Sequence, residues 1–268
     1  NASIGLAAAG SGDIASFTAT NAGATPQVAT ITVTPTAAGC VGTPESYTIT
    51  VDPIPTVDPI ADEVLCAAAN TTTVTFTGAV AGTTYDWIND NPSIGLAAGG
   101  SGDIASFTAT NAGATQQVAT ITVTPTANGC VGLPESFTIT VDPIPNVDPI
   151  ADEVLCANTN TTAVTFTGAT VGTVYDWTND NTSIGLPANG TGDIASFTVT
   201  NAGATQQVAT ITVTPTANGC AGLPETFTIT VDPIPTVNPI ADETLCANVN
   251  TTAVNYTGAV AGTTFDWT

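Results

Sequence analysis

The sequence predicts an all-β fold built from tandem β-sandwich domains of about 90 residues, joined by short Pro-rich linkers. Three observations predict it: a repeat at that period, apolar residues alternating with threonine along short segments, and Gly, Asn or Pro between those segments. The string "VDPIPTVDPIADEVLC" at 51–66 returns as "VDPIPNVDPIADEVLC" at 141–156 and as "VDPIPTVNPIADETLC" at 231–246. Because solenoid repeats are shorter, at about 20–50 residues, this period indicates whole domains.

The proline-rich string marks the predicted domain boundaries. Proline fixes the backbone φ angle and favours an extended conformation in the residue before it, so these segments are predicted to be stiff linkers. We expect complete repeats at 54–143 and 144–233, the C-terminal part of one repeat at 1–53 and the N-terminal part of another at 234–268. The last residues of the sequence are in register with its first residues. We therefore expect the sequence to be a three-period stretch of a longer periodic polymer. The linker prolines are Pro53, Pro55, Pro59, Pro143, Pro145 and Pro149.

Short segments within 54–143 carry the pattern of β-strands. Apolar residues alternate with threonine along them, which is typical of strands with one buried face, and helical spacing is absent. Such short strands in a domain of this size predict an immunoglobulin-like sandwich, with Trp87 and, one period later, Trp177 as core aromatic residues. The segments are 60–66, 73–78, 83–89, 93–96, 104–110, 118–124 and 136–141. The side chains predicted to point inward are Val74, Phe76, Tyr85, Trp87, Ala105, Phe107, Ala109, Ala119, Ile121, Val123, Phe137, Ile139 and Val141.

Basic residues are missing from the chain, which has 268 residues, 22 acidic residues and no Lys, Arg or His. Without histidine, no unperturbed side chain titrates near neutral pH, and a Ser or Thr nucleophile has no His or Lys base. Phosphate groups and nucleic acids would meet only repulsion. We therefore expect no enzyme, no catalytic residue and no nucleic-acid partner. The sequence also has no run of 18 apolar residues, so we expect no insertion into a membrane.

Cysteines occur twice in each period. The order Cys66, Trp87, Cys130 is that of a sandwich disulfide packed on a core tryptophan, so we expect the pairs Cys66–Cys130 and Cys156–Cys220. Each would close a loop of about 64 residues and stabilise the fold by about 4 kcal/mol. A pair of Cys66 with Cys40 across the linker, and free thiols, are the alternatives. A disulfide in every domain indicates an oxidising, extracellular setting.

Three stretches of one repeat resemble a known family. They are "LCAAANTTTVTFTG" at 65–78, "GTTYDWINDN" at 82–91 and "TITVTPTANGCVG" at 120–132 followed by "PESFTITV" at 134–141. These resemble the PKD-like repeats of Bacteroidota surface proteins exported by the type 9 secretion system, among them giant gliding-motility adhesins of the SprB type. The resemblance implies a sandwich of the immunoglobulin/PKD-like kind in a filament or stalk on the bacterial cell surface.

Acidic residues recur in the linker and in the loop after the tryptophan strand. Asp58, Asp62, Asp86 and Asp90 are candidate calcium ligands, because Ca²⁺ is bound by oxygen ligands. The alternative interpretation, which we favour, is that these are turn, capping and solubility residues and that the chain has no cofactor.

Two functions follow as hypotheses. The first is a structural repeat of a long extracellular filament or adhesin stalk, whose partners are further copies of the same repeat. The second is an adhesive module in which the repeats themselves bind a glycan, a surface or ice through their threonine-rich faces. Near-identical copies favour the first hypothesis, since one specific binding site does not need to be repeated in every domain.

Overall fold

A computed structural model describes residues 2–268, and the chain divides into two compact units, one ending at Asp142 and the other starting at Pro143. The all-β class is confirmed: each unit contains a complete sandwich of the immunoglobulin/PKD-like type. The first unit has strands β1 Gln27–Val33, β2 Thr36–Ala37, β3 Cys40–Val41, β4 Glu45–Val51, β5 Glu63–Cys66, β6 Thr84–Asn89, β7 Gly99–Ser101, β8 Gln117–Ala127, β9 Cys130–Val131 and β10 Glu135–Asp142. The second has β11 Glu153–Cys156, β12 Val174–Asn179, β13 Asn189–Thr191, β14 Gln207–Ala217, β15 Cys220–Ala221 and β16 Glu225–Asp232. Short 3-10 helices occupy Ala2–Ile4, Pro92–Ile94 and Thr182–Ile184.

The main sheet has the same topology in both complete repeats. In the first its strand order is β5-β10-β8-β6-β7, with β9 paired to β8, and in the second it is β11-β16-β14-β12-β13, with β15 paired to β14. The pair of β5 with β10 is parallel, as is that of β11 with β16, and the other pairs are antiparallel. The first strand of each complete repeat therefore lies beside its last strand.

The hydrophobic core lies on one face of β8 and β10, as the alternating pattern predicts. Ala119, Ile121 and Val123 are fully buried, and the threonines between them are partly exposed. In β10 the side chains of Phe137 and Ile139 are buried in the same way. The predictions for 83–89, 118–124 and 136–141 are thus confirmed, and that for 60–66 is confirmed over its last four residues.

The predictions of regular strands at 73–78 and 104–110 are wrong. An isolated bridge pairs Val74 with Ile104, and a second one pairs Asn70, just before the first segment, with Thr108. Side chains replace part of the ladder between them: the backbone amide of Phe107 donates to Thr71 Oγ1 at 3.1 Å, and Ser106 Oγ donates to the carbonyl oxygen of Thr71. Such local hydroxyl bonds compete with regular sheet pairing. The two segments still form a second layer, in which Ala109 is buried and Ala105, predicted to point inward, is exposed.

The prediction of a strand at 93–96 is also wrong, because this segment forms the 3-10 helix Pro92–Ile94. Asn91 caps it, since its side chain accepts a hydrogen bond from the amide of Ser93, and proline is well suited to the first helical position. Gly95 ends the helix with a φ of +99°. A Cβ at this position would also lie 2.7 Å from the carbonyl oxygen of Thr108, so both the backbone angle and the space require glycine.

The tight turn between β8 and β9 is an Asn-Gly hairpin. Asn128 and Gly129 have φ angles of +50° and +78°, and the flanking residues Ala127 and Cys130 pair across the turn. Two residues with positive φ are characteristic of a type I′ turn, whose twist matches that of the strands. The turn therefore fixes Cys130 at the tip of the hairpin. In the part of the chain that the structure describes, no helix has the length and apolar character needed to cross a membrane.

Candidate functional site

The predicted linker prolines belong to a segment that is bound to the sandwich following it. We call residues 53–58, and the equivalent residues 143–148, the leading segment of each complete repeat. Pro53, Pro55, Pro143 and Pro145 are buried, whereas Ile54 between the first two is exposed. Pro59 and Pro149, which follow the leading segments, are exposed.

Two glycines of the first complete repeat allow this close approach. A Cβ on Gly132 would lie 2.0 Å from the carbonyl oxygen of Pro55, and a Cβ on Gly78 would lie 2.0 Å from that of Thr56. Any side chain there would displace the leading segment, so glycine is required for steric reasons. The second repeat shows the same two contacts, from Gly222 to Pro145 and from Gly168 to Asn146.

Hydrogen bonds hold the end of the leading segment. The backbone amide of Asp58 donates to the carbonyl oxygen of Thr77 at 2.8 Å, and Thr77 Oγ1 donates to Asp58 Oδ2 at 2.6 Å. Asp148 and Thr167 form the same pair of bonds in the second repeat. The leading segment is thus fixed to its own sandwich by sterics and by hydrogen bonds.

The core tryptophan of each repeat is held at the edge of the main sheet. Trp87 is 8% exposed, and its Nε1 donates to the carbonyl oxygen of Gly102 at 3.1 Å. A Cβ on Gly100 would lie 2.4 Å from Cζ2 of the indole, so the ring covers the glycine strand β7. Trp177 has the same contacts with Gly190 and Gly192.

Three of the four candidate calcium ligands each accept a hydrogen bond from a different threonine. Asp62 Oδ1 accepts from the amide of Thr138 at 2.7 Å, and Asp90 Oδ1 accepts from the amide of Thr120 at 2.7 Å. Asp58 accepts from Thr77 as described above. Asp86 lies in β6, and its equivalent in the second repeat, Asp176, accepts from Thr191. Among residues 2–268, no three acidic or cysteine side chains are grouped as a metal site would require.

The carboxylate of Asp62 provides a prediction for acid stability. The hydrogen bonds from the backbone and side chain of Thr138 hold the pKa of the Asp62 carboxyl below its ordinary value. A carboxyl group whose pKa is lower in the folded state stabilises the fold fully at a pH above its unfolded-state pKa. This stabilisation is lost as the pH falls through the folded-state pKa. We therefore expect Asp62→Asn to reduce the loss of stability below about pH 4, measured as urea unfolding midpoints between neutral pH and pH 2.

The control for this prediction is Asp242→Asn. Asp242 has the same position in the period, but residues 234–268 contain no strand equivalent to β10. We expect this variant to keep the acid sensitivity of the parent chain. If Asp62→Asn and Asp242→Asn reduced the acid sensitivity equally, the effect would not arise from the hydrogen bond between Asp62 and Thr138.

The predicted cysteine pairs Cys66–Cys130 and Cys156–Cys220 are wrong. Cys66 and Cys220 are each disulfide-bonded, whereas their predicted partners Cys130 and Cys156 have free thiols. The reason lies in the sheet register: Cys66 is opposite Asp142, near the Gln117 end of β8, whereas Cys130 pairs with Ala127 at its other end. Ten residues of strand span roughly 33 Å. A disulfide requires Cα atoms about 4.4–6.8 Å apart, so the two cysteines of one repeat do not meet.

A comparison with protein families identifies the family of both complete repeats. A family model described as "PKD-like domain" matches residues 62–145 and 152–235. No curated protein matches the chain. Solved structures with similar folds include three immunoglobulin domains of titin, I67–I69, at 12% identity, with 69% of this chain and 70% of that chain covered and a TM-score of 0.39. They also include mouse cadherin-23 EC22–24, at 13% identity, with 77% and 74% covered and a TM-score of 0.35.

Proposed function

Because the chain belongs to the PKD-like domain family, with both complete repeats matched, we propose that it is a structural segment of a long extracellular filament or adhesin stalk on a bacterial cell surface. Tandem domains of this kind are typical of extracellular adhesion or stalk modules. The observation that carries the proposal is that each complete repeat binds its own leading segment through the same glycine and threonine contacts. A repeat that fixes the chain where it begins is suited to extension by adding more repeats.

The chemistry of the surface supports a structural role. A net charge of −22 without any basic residue keeps copies soluble and gives proteases that cut after Lys or Arg no site. The disulfide supports an extracellular location, since disulfides persist in oxidising compartments. We further propose that the parent protein is a giant surface protein of Bacteroidota exported by the type 9 secretion system, of the kind used in gliding. The resemblance of the segments at 65–91 and 120–141 supports this assignment.

Labelling of intact cells tests the location and the role. An antibody raised against residues 54–143 should label filaments on unpermeabilised cells of the source organism, at sites spaced along each filament. Labelling that requires permeabilisation would contradict the proposal. In a parallel assay, binding of the 268-residue chain to a glycan array or to ice with a specific, saturable affinity would favour the adhesive module instead.

The leading-segment prolines provide a prediction about extension. We expect Pro53→Ser combined with Pro55→Ser to reduce the maximum dimension measured by small-angle X-ray scattering, because serine frees the φ angles that proline fixes. The control is Pro26→Gln, since Pro26 is exposed and the other repeats have glutamine there. If EDTA reduces the dimension and the serine variant does not, calcium and not proline provides the stiffness.

A further inference from the structure

Asn-Gly pairs occur at three places in the chain, and the structure places them in two different environments. Asn128–Gly129 and Asn218–Gly219 form exposed hairpin turns, whereas Asn189–Gly190 belongs to strand β13. We propose that the two turns are sites of spontaneous deamidation, and that at Asn128 the product repels Asp52 and loosens the contact between two successive repeats. This inference concerns a covalent change of the polymer, and it holds for a stalk and for an adhesive module alike.

The reaction is an attack of the backbone on the side chain of the preceding residue. The amide nitrogen of Gly129 loses its proton and forms a bond with Cγ of Asn128. The bond from Cγ to the side-chain nitrogen then breaks, and ammonia leaves. Water opens the resulting five-membered imide at one of its two carbonyl carbons, which gives aspartate or isoaspartate. One water is consumed, one ammonia is released, and nothing is oxidised or reduced. Glycine in the second position favours the attack because it has no side chain to hinder it.

The first turn leaves both reacting groups accessible. Asn128 and Gly129 are exposed, and a Cβ on Gly129 would have no atom within 4 Å. The ladder resumes with the flanking residues Ala127 and Cys130, so the amide of Gly129 takes no part in it. The partner strand β9 has only two residues. The backbone at the tip can therefore rotate toward the reactive conformation without breaking a long ladder.

The second compact unit contains the same turn. Asn218 and Gly219 have φ angles of +49° and +80°, both residues are exposed, and Ala217 pairs with Cys220 across the turn. A Cβ on Gly219 would again have no atom within 4 Å. We therefore expect Asn218 to deamidate as Asn128 does.

The third Asn-Gly pair is protected by the sheet. Asn189 is exposed as well, so exposure alone does not distinguish it from the turns. Gly190, however, pairs with Trp177 in the ladder between β12 and β13, and a Cβ on Gly190 would lie 2.3 Å from Cζ2 of the indole. Rotation of the Gly190 amide toward the side chain of Asn189 would break this pairing beneath the tryptophan ring. Opening of a packed strand costs more free energy than opening of a hairpin tip, so we expect deamidation at Asn189 to be slower by at least roughly tenfold.

The side chain of Asn128 bonds to the end of the preceding repeat. Its Nδ2 donates to Asp52 Oδ1 at 3.3 Å, and both residues belong to the compact unit that ends at Asp142. Asp52 directly follows strand β4 and directly precedes the leading segment of the first complete repeat. The bond therefore joins the end of one repeat to the hairpin of the next.

Deamidation turns this attractive contact into a repulsive one. The amide that donates to Asp52 becomes a carboxylate, which has no proton to donate near neutral pH and carries the same charge as its neighbour. The chain has no Lys, Arg or His, so no basic side chain neutralises the added charge. The isoaspartate product also lengthens the main chain of the turn by one methylene group. Because the reaction releases ammonia and is not reversed, the converted fraction of these turns rises with the age of the polymer.

A natural version of the turn without asparagine provides a control. Ala38 and Gly39 occupy the equivalent positions, with φ angles of +48° and +80°, and Ala37 pairs with Cys40 across the turn. The hairpin therefore forms with alanine in the first position. Asn128→Ala is expected to keep the turn and serves as the variant that cannot react.

The first test incubates the folded 268-residue chain in mildly alkaline buffer and maps the products by mass spectrometry with a non-tryptic protease. We expect aspartate and isoaspartate at Asn128 and Asn218, and at least roughly tenfold less conversion at Asn189. In concentrated urea, where the ladder is lost, the three sites should react at similar rates. An Asn128 that stays intact, or an Asn189 that reacts as fast in the folded chain, would overturn the proposed sites.

The second test isolates the contact with Asp52. Asn128→Asp reproduces one product of the reaction, and we expect hydrogen exchange of the hairpin Thr126–Val131 to accelerate by at least roughly threefold, because a hydrogen bond is lost and two charges repel. Asn128→Ala removes the bond without adding a charge and should have a smaller effect. In the Asp52→Asn background, Asn128→Asp should change the exchange rate little, since no second carboxylate is present. Equal acceleration in both backgrounds would overturn the repulsion from Asp52.

Discussion

Replacing Trp177 by alanine is expected to lower the free energy of unfolding of the second complete repeat by about 3–5 kcal/mol, the usual cost of deleting a buried aromatic side chain. Trp177 is 7% exposed, covers Gly190 and donates a hydrogen bond to the carbonyl oxygen of Gly192. The substitution removes the buried ring, its contact with Gly190 and its hydrogen bond to Gly192. For a domain of this size, the melting temperature of the affected sandwich should fall by at least roughly 12 °C. Scanning calorimetry should therefore resolve one transition that moves down and one that stays.

The matched control is Trp267→Ala in the same chain, measured in the same way. Trp267 occupies the same position in the period but is 78% exposed, because the rest of its repeat is not present in residues 234–268. A surface substitution of this kind usually changes stability by no more than about 0.5 kcal/mol. Similar effects of the two substitutions would show that Trp177 does not stabilise the core as its burial indicates.

The second large effect is expected for Gly222→Ala. The new Cβ would lie 1.8 Å from the carbonyl oxygen of Pro145, so either the leading segment or the hairpin must move. Overpacking of this kind typically costs about 1–3 kcal/mol, and contact with backbone leaves little room for relief by side-chain rotation. We expect a loss near the upper end of that range in urea unfolding. Hydrogen exchange of the Asp148 amide, which bonds to Thr167, should accelerate as well.

Gly42→Ala provides a closely matched control. Gly42 has the same position in the period, and its Cβ would lie 3.0 Å from Cγ of Pro35, as that of Gly222 would lie 2.9 Å from Cγ of Pro215. The two sites differ in the leading segment, since no carbonyl group approaches Gly42 more closely than 3.5 Å. A small effect at Gly42 and a large one at Gly222 would assign the cost to the leading segment. A large effect at both sites would assign the cost to the contact with Cγ of Pro35 or Pro215.

The sequence predicts the part of the fold in which every second side chain along a strand is buried. Ile121, Val123, Phe137 and Ile139 are buried as expected, because regular antiparallel pairing places every second residue on one face. The second layer does not follow that period, since the hydroxyls of Thr71 and Ser106 bond to backbone groups in place of ladder bonds. Strand propensities count threonine as a strand residue. They do not include the hydrogen bonds of a side-chain hydroxyl that replace bonds of the ladder.

The cysteine pairs were predicted incorrectly because residue order does not specify position along a strand. The sequence signal that bears on the question is the Asn128–Gly129 turn, which places Cys130 at a hairpin tip. The position of Cys66 depends on the parallel pairing with β10, a contact between residues about 76 positions apart. The leading segment was predicted to be a linker for a similar reason, since its contacts with Gly132 join the two ends of a repeat.

The parallel pairing of β5 with β10 determines how a repeat responds to a pulling force. Tension applied at both ends of the chain draws β5 backward along its axis and β10 forward, because the chain starts the repeat just before β5 and leaves it directly after β10. The hydrogen bonds from Glu63 through Cys66 are then loaded together in shear and cannot open one at a time, as they would in a peeled hairpin. Rupture requires the simultaneous loss of all these bonds, so the sandwich resists load along the chain better than load across it.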